Sequence, residues 1–328
     1  MNPTFSKIQG DHFYPFIQTR LPEDLRIGIL TIREKWKLLS QSDALLLTEK
    51  EITPLQLPGI INPDEIKIIE NSTDIIRLND WALRQDYSLL TKGRTSVSIS
   101  STNRVINSSN IFIEAGATIE HCFLNAGDGP IYIAKNAVIM EGSMLRGPLS
   151  IGENAVVKMG AKIYGATTIG PHCTVGGEIK NSVMMGYSNK AHDGYLGDSV
   201  LGYWCNLGAG TSNSNIKNTA GNIKIRLDKI EINAGTKFGL LMGDYSRAAI
   251  NTSFNTGTVV GVCCNVFNNG LTPKFIPDFS WGCNGEKYLL EKALTDINNW
   301  KKFKGQAITE AEKQILTDIC NPPAIIKP

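Results

Sequence analysis

IAKNAVIMEGSMLRGPLSIGENAVVKMGAKIYGATTIGPHCTV, residues 133–175, carries an aliphatic residue at every sixth position. Ile133, Ile139, Leu145, Ile151, Val157, Ile163, Ile169 and Val175 fill the run without a miss. Neither the period of a helix nor the alternation of an ordinary strand produces that spacing. Small side chains stand two positions earlier at Ala137, Ser143, Ala155, Ala161, Thr167 and Cys173, and glycine follows the aliphatic residue at Gly152, Gly170 and Gly176. The pattern predicts a triangular solenoid in which each hexad gives one short strand and one corner, so that about 18 residues close a coil. The aliphatic residues point inward and stack on their counterparts ~4.8 Å along the axis. Small residues fit the corners, and the glycines are expected there for backbone angles closed to other residues. The predicted fold is therefore mainly β, a left-handed parallel β-helix.

The frame continues on both sides. Ile113 and Ile119 precede the run, with a slip at Asn125–Pro130 (NAGDGP). After Val175 the phase breaks at Asn181, resumes at Leu201 and Leu207, and is read again at Ile250, Thr256 and Val262. Breaks of phase mark loops extruded from a solenoid, and such loops tend to carry function. The longest irregular stretch, roughly Gly210 to Gly235, is rich in Asn, Ser and Lys.

Three regions follow: a small α/β segment over 1–92, the solenoid over 93–275 and helices over 276–328. In the first, Arg26–Ile32 (RIGILTI) and Ala44–Leu47 read as strands around a helix at Glu34–Leu39. It contains neither G-x-G-x-x-G nor a P-loop. In the third, Leu290, Leu294, Ile297 and Trp300 share one helical face, and Thr309 with Glu312 form a capping box before Ile315, Leu316 and Ile319. These helices are expected to cap or brace the last coil, which otherwise exposes unpaired strand edges.

The totals narrow the function classes. A hydrophobic share of 42% and a charged share of 20% describe an ordinary globular chain. A net charge of +2 with no dense basic block argues against nucleic acid. The opening MNPTFSKIQGDHFY lacks the basic and apolar regions of a secretory leader, and no apolar run approaches the ~20 residues of a membrane span. Seven cysteines without a C-x-x-C pair suit reduced thiols better than zinc or disulfides. A cytoplasmic location is the expectation.

Chemistry concentrates in EIKNSVMMGYSNKAHDGYLGDSVLGYWCNLGAGTSNSN, residues 178–215, which holds His192, one of only four histidines. The order Glu178, Lys180, His192, Tyr195, Gly197-Asp198, Asn206, the GAGT of Gly208–Thr211 and Asn215 resembles the GlmU-type family. These are the bifunctional UDP-N-acetylglucosamine diphosphorylase/glucosamine-1-phosphate N-acetyltransferases. KMGAKIYGATTIGP, GYSNKAHDGYLGDS and FNTGTVVG look closest to a divergent branch, and the resemblance covers most of residues 20–285. It implies His192 as the base that takes a proton from a sugar amine attacking an acetyl thioester, with Glu178 orienting that base. It further implies Lys162, Lys180 and Tyr195 on the sugar phosphate, Asn206 and Asn215 on the acetylated sugar, and Ala209 beside acetyl-CoA. In this family such sites form between the solenoids of a homotrimer. Lys162 stands where an Arg is usual, replacing a bidentate fork by a point charge. The family's Gly-rich nucleotidyltransferase loop is missing and its N-terminal domain is much shorter here. Residues 1–92 thus resemble a truncated nucleotidyltransferase-like segment.

The residues themselves are compatible with this chemistry. A histidine is the natural base near neutrality, Lys162, Lys180 and Lys190 lie around His192 in sequence, and a thioester requires no metal. Each assignment has a plainer rival: His192, His121 and His172 as corner residues, Gly208–Thr211 as corner sequence, Ser212–Asn218 as a polar loop, Trp204 as core. Arg20, Arg26 and Arg33 have acidic neighbours to pair with. Three functions remain: an acetyltransferase using acetyl-CoA on an amino-sugar phosphate, a sugar-1-phosphate nucleotidyltransferase that needs Mg2+, or a non-catalytic sugar-nucleotide-binding solenoid.

Overall fold

The computed structural model describes residues 10–40, 55–59 and 66–322. All eight residues of the run from Ile133 to Val175 are at most 2% exposed and share one apolar core. Each such burial contributes about 1.5–3 kcal/mol, so the repeat alone supplies a continuous spine. Three parallel faces surround it. The first holds six strands, from Arg104–Ile106 to Tyr195–Gly197. The second holds nine, from Ile111–Ile113 to Phe275–Ile276. The third runs from Thr118–Ile119 to Ser280–Trp281, and antiparallel Glu286–Lys287 covers its last edge.

Register gives the phase breaks a physical form. Ile133, Ile151 and Ile169 stack at the expected 18-residue step. The next partner of Ile169 is Met184, so the coil holding Asn181 is shortened by three residues. Leu201 stacks on Met242 only after the excursion that holds the Lys224–Leu227/Ile230–Asn233 hairpin. Beyond it the expected frame is corrected by two residues: Met242, Ala248, Phe254, Val260 and Val266 line the core, whereas Ile250 is 68% exposed. Ala248 and Phe254 fill that space with one small and one large residue, which hides the aliphatic period.

A second correction concerns the glycines. Gly152, Gly170 and Gly176 do not occupy left-handed angles. A Cβ at Gly170 would lie 2.1 Å from the Met185 carbonyl oxygen, and one at Gly176 2.4 Å from that of Ala191. They are glycine because neighbouring coils approach there. At the corner of Gly152 and Gly170 the left-handed position is held by Asn136, Asn154, His172, Tyr187, Trp204, Tyr245, Cys263 and Phe279, with φ between 52° and 61°, and at the corner of Gly176 by Gly142, Gly160, Gly177 and Gly210. Asn adopts this region readily, while the aromatic residues need their packing to hold it. His172, Tyr187 and Trp204 stack with centroids 4.5 Å apart.

The N-terminal segment lies on the second face. Phe16, Leu25, Ile27, Ile32, Ile69 and Ile75 form one cluster with Val183, Met185, Val200 and Leu241. Helices α1 (Ile32–Ser40), α2 (Asp74–Arg77) and α3 (Asn79–Thr91) belong to it, with the antiparallel pair Leu55–Pro58/Ile66–Ile69. The helix expected at Glu34–Leu39 lies within α1. The strand expected at Arg26–Ile32 is instead a turn with a single bridge, Arg26 to Thr31. Asp86 accepts from the N–H groups of Ile29 and Leu30, and Thr168 donates to the Gly28 carbonyl, which bends the segment. Ala44–Leu47 lies outside the described residues.

Helices α4 (Leu290–Lys302) and α5 (Glu310–Cys320) brace the solenoid from the side, over Trp204, Tyr245, Cys263 and Phe279. The Thr309/Glu312 capping box starts α5 as the sequence implied. No helix among the described residues is long and apolar enough to cross a membrane.

Candidate active site

On the first face the inward residues Ile163, Ile179 and Leu196 stack in register, so their neighbours point outward. Lys162, Glu178 and Tyr195 thereby form one outward row, and Tyr164, Lys180 and Gly197 the row beside it. Four of the residues singled out from sequence lie on one surface across three coils.

The Tyr164 hydroxyl donates to Glu178 Oε1 at 2.6 Å, and the Lys180 ammonium stands 5.6 Å from the centre of the Tyr164 ring. That hydrogen bond and partial burial push the Tyr164 hydroxyl up to about 12. Burial, with Asp198 next, pushes Tyr195 up to about 12. Both phenols therefore stay protonated through the neutral range. Asn215 donates to the Tyr195 hydroxyl at 3.0 Å and to Asp198 Oδ2, and Asn181 donates to Asp198 Oδ1 at 2.6 Å. The Gly-Asp pair acquires reasons here. A Cβ at Gly197 would meet the Tyr195 hydroxyl at 2.2 Å, and Asp198 joins the two amides. Asn213 exchanges two hydrogen bonds with the Gly197 backbone, extending the sheet where its strands end.

His192 stands at the corner between the third face, at Asn189–Lys190, and the first, at Tyr195–Gly197. Its ring is exposed. No hydrogen bond joins it to Glu178 among the described residues; the hydrogen bond recorded for the Glu178 carboxylate comes from Tyr164. Ala209 lies one coil beyond, where Gly210 N–H donates to the Asp193 carbonyl at 3.0 Å. Asn206 is on the third face, in the row Asn189, Asn206, Arg247 and Asn265. One chain thus gathers Lys162, Glu178, Lys180, Tyr195 and Asn215 on one side of the His192 corner and leaves Asn206 on the other. Lys190 is not a surface cation: it is 2% exposed and turned inward.

Sequence reasoning gave no role to Tyr164, Asn181 or Asn213, and named Asp198 only as part of the Gly-Asp pair. Strand alternation about Ile163 and Ile179 was the signal for Tyr164; the amide contacts left none. A groove of about 740 Å3 shares Lys162 and Tyr164 with this surface but runs towards Arg104 and Phe123, away from His192. A crevice of about 460 Å3 contains Arg20, Arg26 and Arg33, each engaged: with Asp244, with the Met185 carbonyl, and with Glu23 and Asp24. His121 and His172 are left-handed corner residues, and Trp204 is 8% exposed in the helix-covered core. No cluster of three His, Cys, Asp or Glu side chains able to hold a metal ion occurs among the described residues.

No family model matches the chain. It is 32% identical over 87 residues to the bifunctional protein GlmU of Methanocaldococcus jannaschii, covering 26% of this chain and 21% of that protein. With GlmU of Methanococcus vannielii identity is 28% over 115 residues, 35% of this chain and 28% of the other. A bifunctional sugar-1-phosphate nucleotidylyltransferase/acetyltransferase of Sulfurisphaera tokodaii is 32% identical over 91 residues, 27% and 23% of the two chains. The chain thus matches between 21% and 28% of these relatives' own length. Among solved structures, the polySia-specific acetyltransferase NeuO aligns with 62% of this chain and 98% of its own, at 12% identity and a TM-score of 0.29. GDP-perosamine N-acetyltransferase from Caulobacter crescentus, solved with CoA and GDP-perosamine, aligns at 11% identity and a TM-score of 0.14, over 60% and 58%.

Proposed function

We propose that this chain is a hexapeptide-repeat acyltransferase that moves an acetyl group from acetyl-CoA to the amine of an amino-sugar phosphate. The observation that carries the reading is the register row Lys162, Glu178 and Tyr195, with Lys180 beside it, leading to the exposed His192 corner. Such a surface offers two cations for a phosphate, hydroxyl and carboxylate groups for a sugar, and an imidazole to accept a proton. Similarity to GlmU-type proteins over part of the chain supports the same choice.

In this mechanism the sugar amine attacks the thioester carbonyl, and His192 takes the proton the amine loses. The C–N bond forms, the C–S bond breaks, and the proton passes to the departing CoA thiolate. Lys162 and Lys180 hold the phosphate, while Tyr195 and Asn215 orient the sugar. Residues 93–275 carry the transfer, while the described part of the N-terminal segment and helices α4 and α5 brace the solenoid. A homotrimer completes the site in this reading, because Asn206 faces away from Tyr195 within one chain and can meet that group only on a neighbour.

The test is CoA release from acetyl-CoA with glucosamine-1-phosphate, comparing wild type with His192→Ala. Turnover in wild type that falls about 100-fold or more in the variant fits a general base. Absence of turnover with every amino-sugar phosphate tried, in a folded protein, rejects the reading.

A further inference from the structure

The third face lines the core with Ile139, Val157, Val175, Leu207, Ala248 and Val266, and only one inward position breaks the series. That position is Lys190, in register with Val175 below and followed by Leu207 above. It is 2% exposed. An ammonium in an apolar core is costly unless something receives it. Here the hydrogen bond recorded for it goes to no carboxylate: Lys190 Nζ donates to the backbone carbonyl of His192.

We propose that Lys190 is a positioning residue for the acyl transfer, its ammonium holding the His192 carbonyl inward and so fixing the corner that presents the imidazole. The proposal rests on His192 being the base of that reaction. Three further observations support it. Nearby carbonyls are satisfied by backbone: Lys190 O accepts from Gly176 N–H at 2.8 Å, Asp193 O from Gly210 at 3.0 Å and Gly194 O from Glu178 at 3.2 Å. The carbonyl of His192 is served by a side chain from inside the solenoid. Room for that side chain comes from Gly177, at φ +69°, where a Cβ would lie 2.9 Å from the Lys190 nitrogen and 2.8 Å from the His192 oxygen. Lastly, the inward lysine occurs in the one coil whose corner bears His192. A lysine serving packing alone has no reason to sit there.

Burial pushes the Lys190 ammonium down to about 8, with Asp193 opposing. Asp193 lies on the same corner, and Glu178 follows Gly177 with its carboxylate turned to Tyr164. Gly176–Gly177 below and Gly208–Gly210 above carry no ionisable side chain. Neutralisation above pH 8 weakens the hydrogen bond to the carbonyl, so the corner loosens on the alkaline side.

The experiment uses the full chain carrying [1-13C]histidine, in wild type, Lys190→Met and Lys190→Gln. Isotope-edited infrared spectroscopy reads the His192 carbonyl, assigned by difference from His192→Gln. Its band is expected to titrate with a midpoint near 8 in wild type and to lose that titration in Lys190→Met. In parallel, CoA release should show kcat lowered at least about tenfold in Lys190→Met, with KM for acetyl-CoA within about twofold. Lys190→Gln, an uncharged donor, should recover part of the loss and remove the alkaline limb. A wild-type band indifferent to pH, or undiminished kcat in Lys190→Met, overturns the proposal. If no version acetylates any amino-sugar phosphate, the transfer reading falls and takes the positioning role with it. A titrating band would then record the contact alone.

Discussion

Tyr164 and Glu178 are joined by a 2.6 Å hydrogen bond between neighbouring coils, so the carboxylate most suited to aid His192 is held by a phenol one coil below. With its hydroxyl pushed up to about 12, Tyr164 remains a donor from acid to well above neutrality. Tyr164→Phe is expected to lower kcat for CoA release about three- to tenfold. Glu178→Gln, which removes the charge, should lower it about 10- to 100-fold. A Tyr164→Phe enzyme with wild-type turnover would mean that the contact has no bearing on catalysis.

Asp198 joins two stretches of chain through Asn181 and Asn215, and it is 7% exposed. Asp198→Ala leaves both amides without that acceptor, which costs about 1–3 kcal/mol. Asn215 and the Tyr195 hydroxyl are also released, so KM for the amino-sugar phosphate should rise more than kcat falls. Urea denaturation and steady-state kinetics on the same variant separate the two effects. A variant altered in neither would show the network to be incidental.

The N-terminal segment is tied to the solenoid by Asp244, which is 1% exposed. It accepts from Thr19 Oγ1 at 2.6 Å, from the Tyr203 N–H at 2.9 Å and from Arg20. Asp244→Ala strands the buried Arg20 guanidinium, a change that typically costs about 3–5 kcal/mol. Trypsin should then cut at Arg20, Arg26 or Arg33 before it reaches the solenoid. Equal resistance in wild type and variant would contradict a clamp.

These contacts also separate what the sequence made legible from what it did not. The run from Ile133 to Val175 could be read because burial in a solenoid core selects aliphatic residues at one fixed step. Lys190 could not, since an inward lysine looks like a surface cation until Val175 and Leu207 are seen on either side. Likewise Ile250 resembled a core residue because Ala248 and Phe254 share the filling unevenly. RIGILTI has strand composition, yet its hydrogen bonds go to Asp86 and Thr168, both distant in sequence. On the first face Lys162, Glu178, Lys180 and Tyr195 were named by resemblance, although alternation about Ile163 and Ile179 was there to set them in rows. The amides that hold Tyr195 obey no period and left no trace.

Lys190 also makes stability depend on pH. Its folded value of about 8 lies below the unfolded value of 10.5, so the unfolded chain binds more protons between the two. Stability should therefore rise as pH increases from 8 to 10.5, by up to about 3 kcal/mol from this group. Lys190→Met should flatten that rise. Denaturation midpoints across this window test it, and a variant with the same slope as wild type would assign the dependence elsewhere.

Arg247 presents the opposite case, a buried charge with two nitrogens that find no acceptor among the described residues. It stands on the third face between Asn206 and Asn265, 8% exposed, with the Trp300 ring centre 5.3 Å from its guanidinium carbon. Its Nε and Nη2 are buried without a hydrogen-bond partner among the described residues, the same edge with which Arg33 grips both oxygens of Asp24. Burial pushes the guanidinium below its usual range, although Tyr288 and Asp296 draw it back. Replacing a buried ionic group of this kind by an apolar one of similar volume is commonly stabilising by about 1–4 kcal/mol. Arg247→Met should therefore raise the thermal midpoint while leaving the Trp300 packing in place. A fall of several degrees instead would mean that the guanidinium is satisfied in solution, and that α4 is held to the solenoid by it.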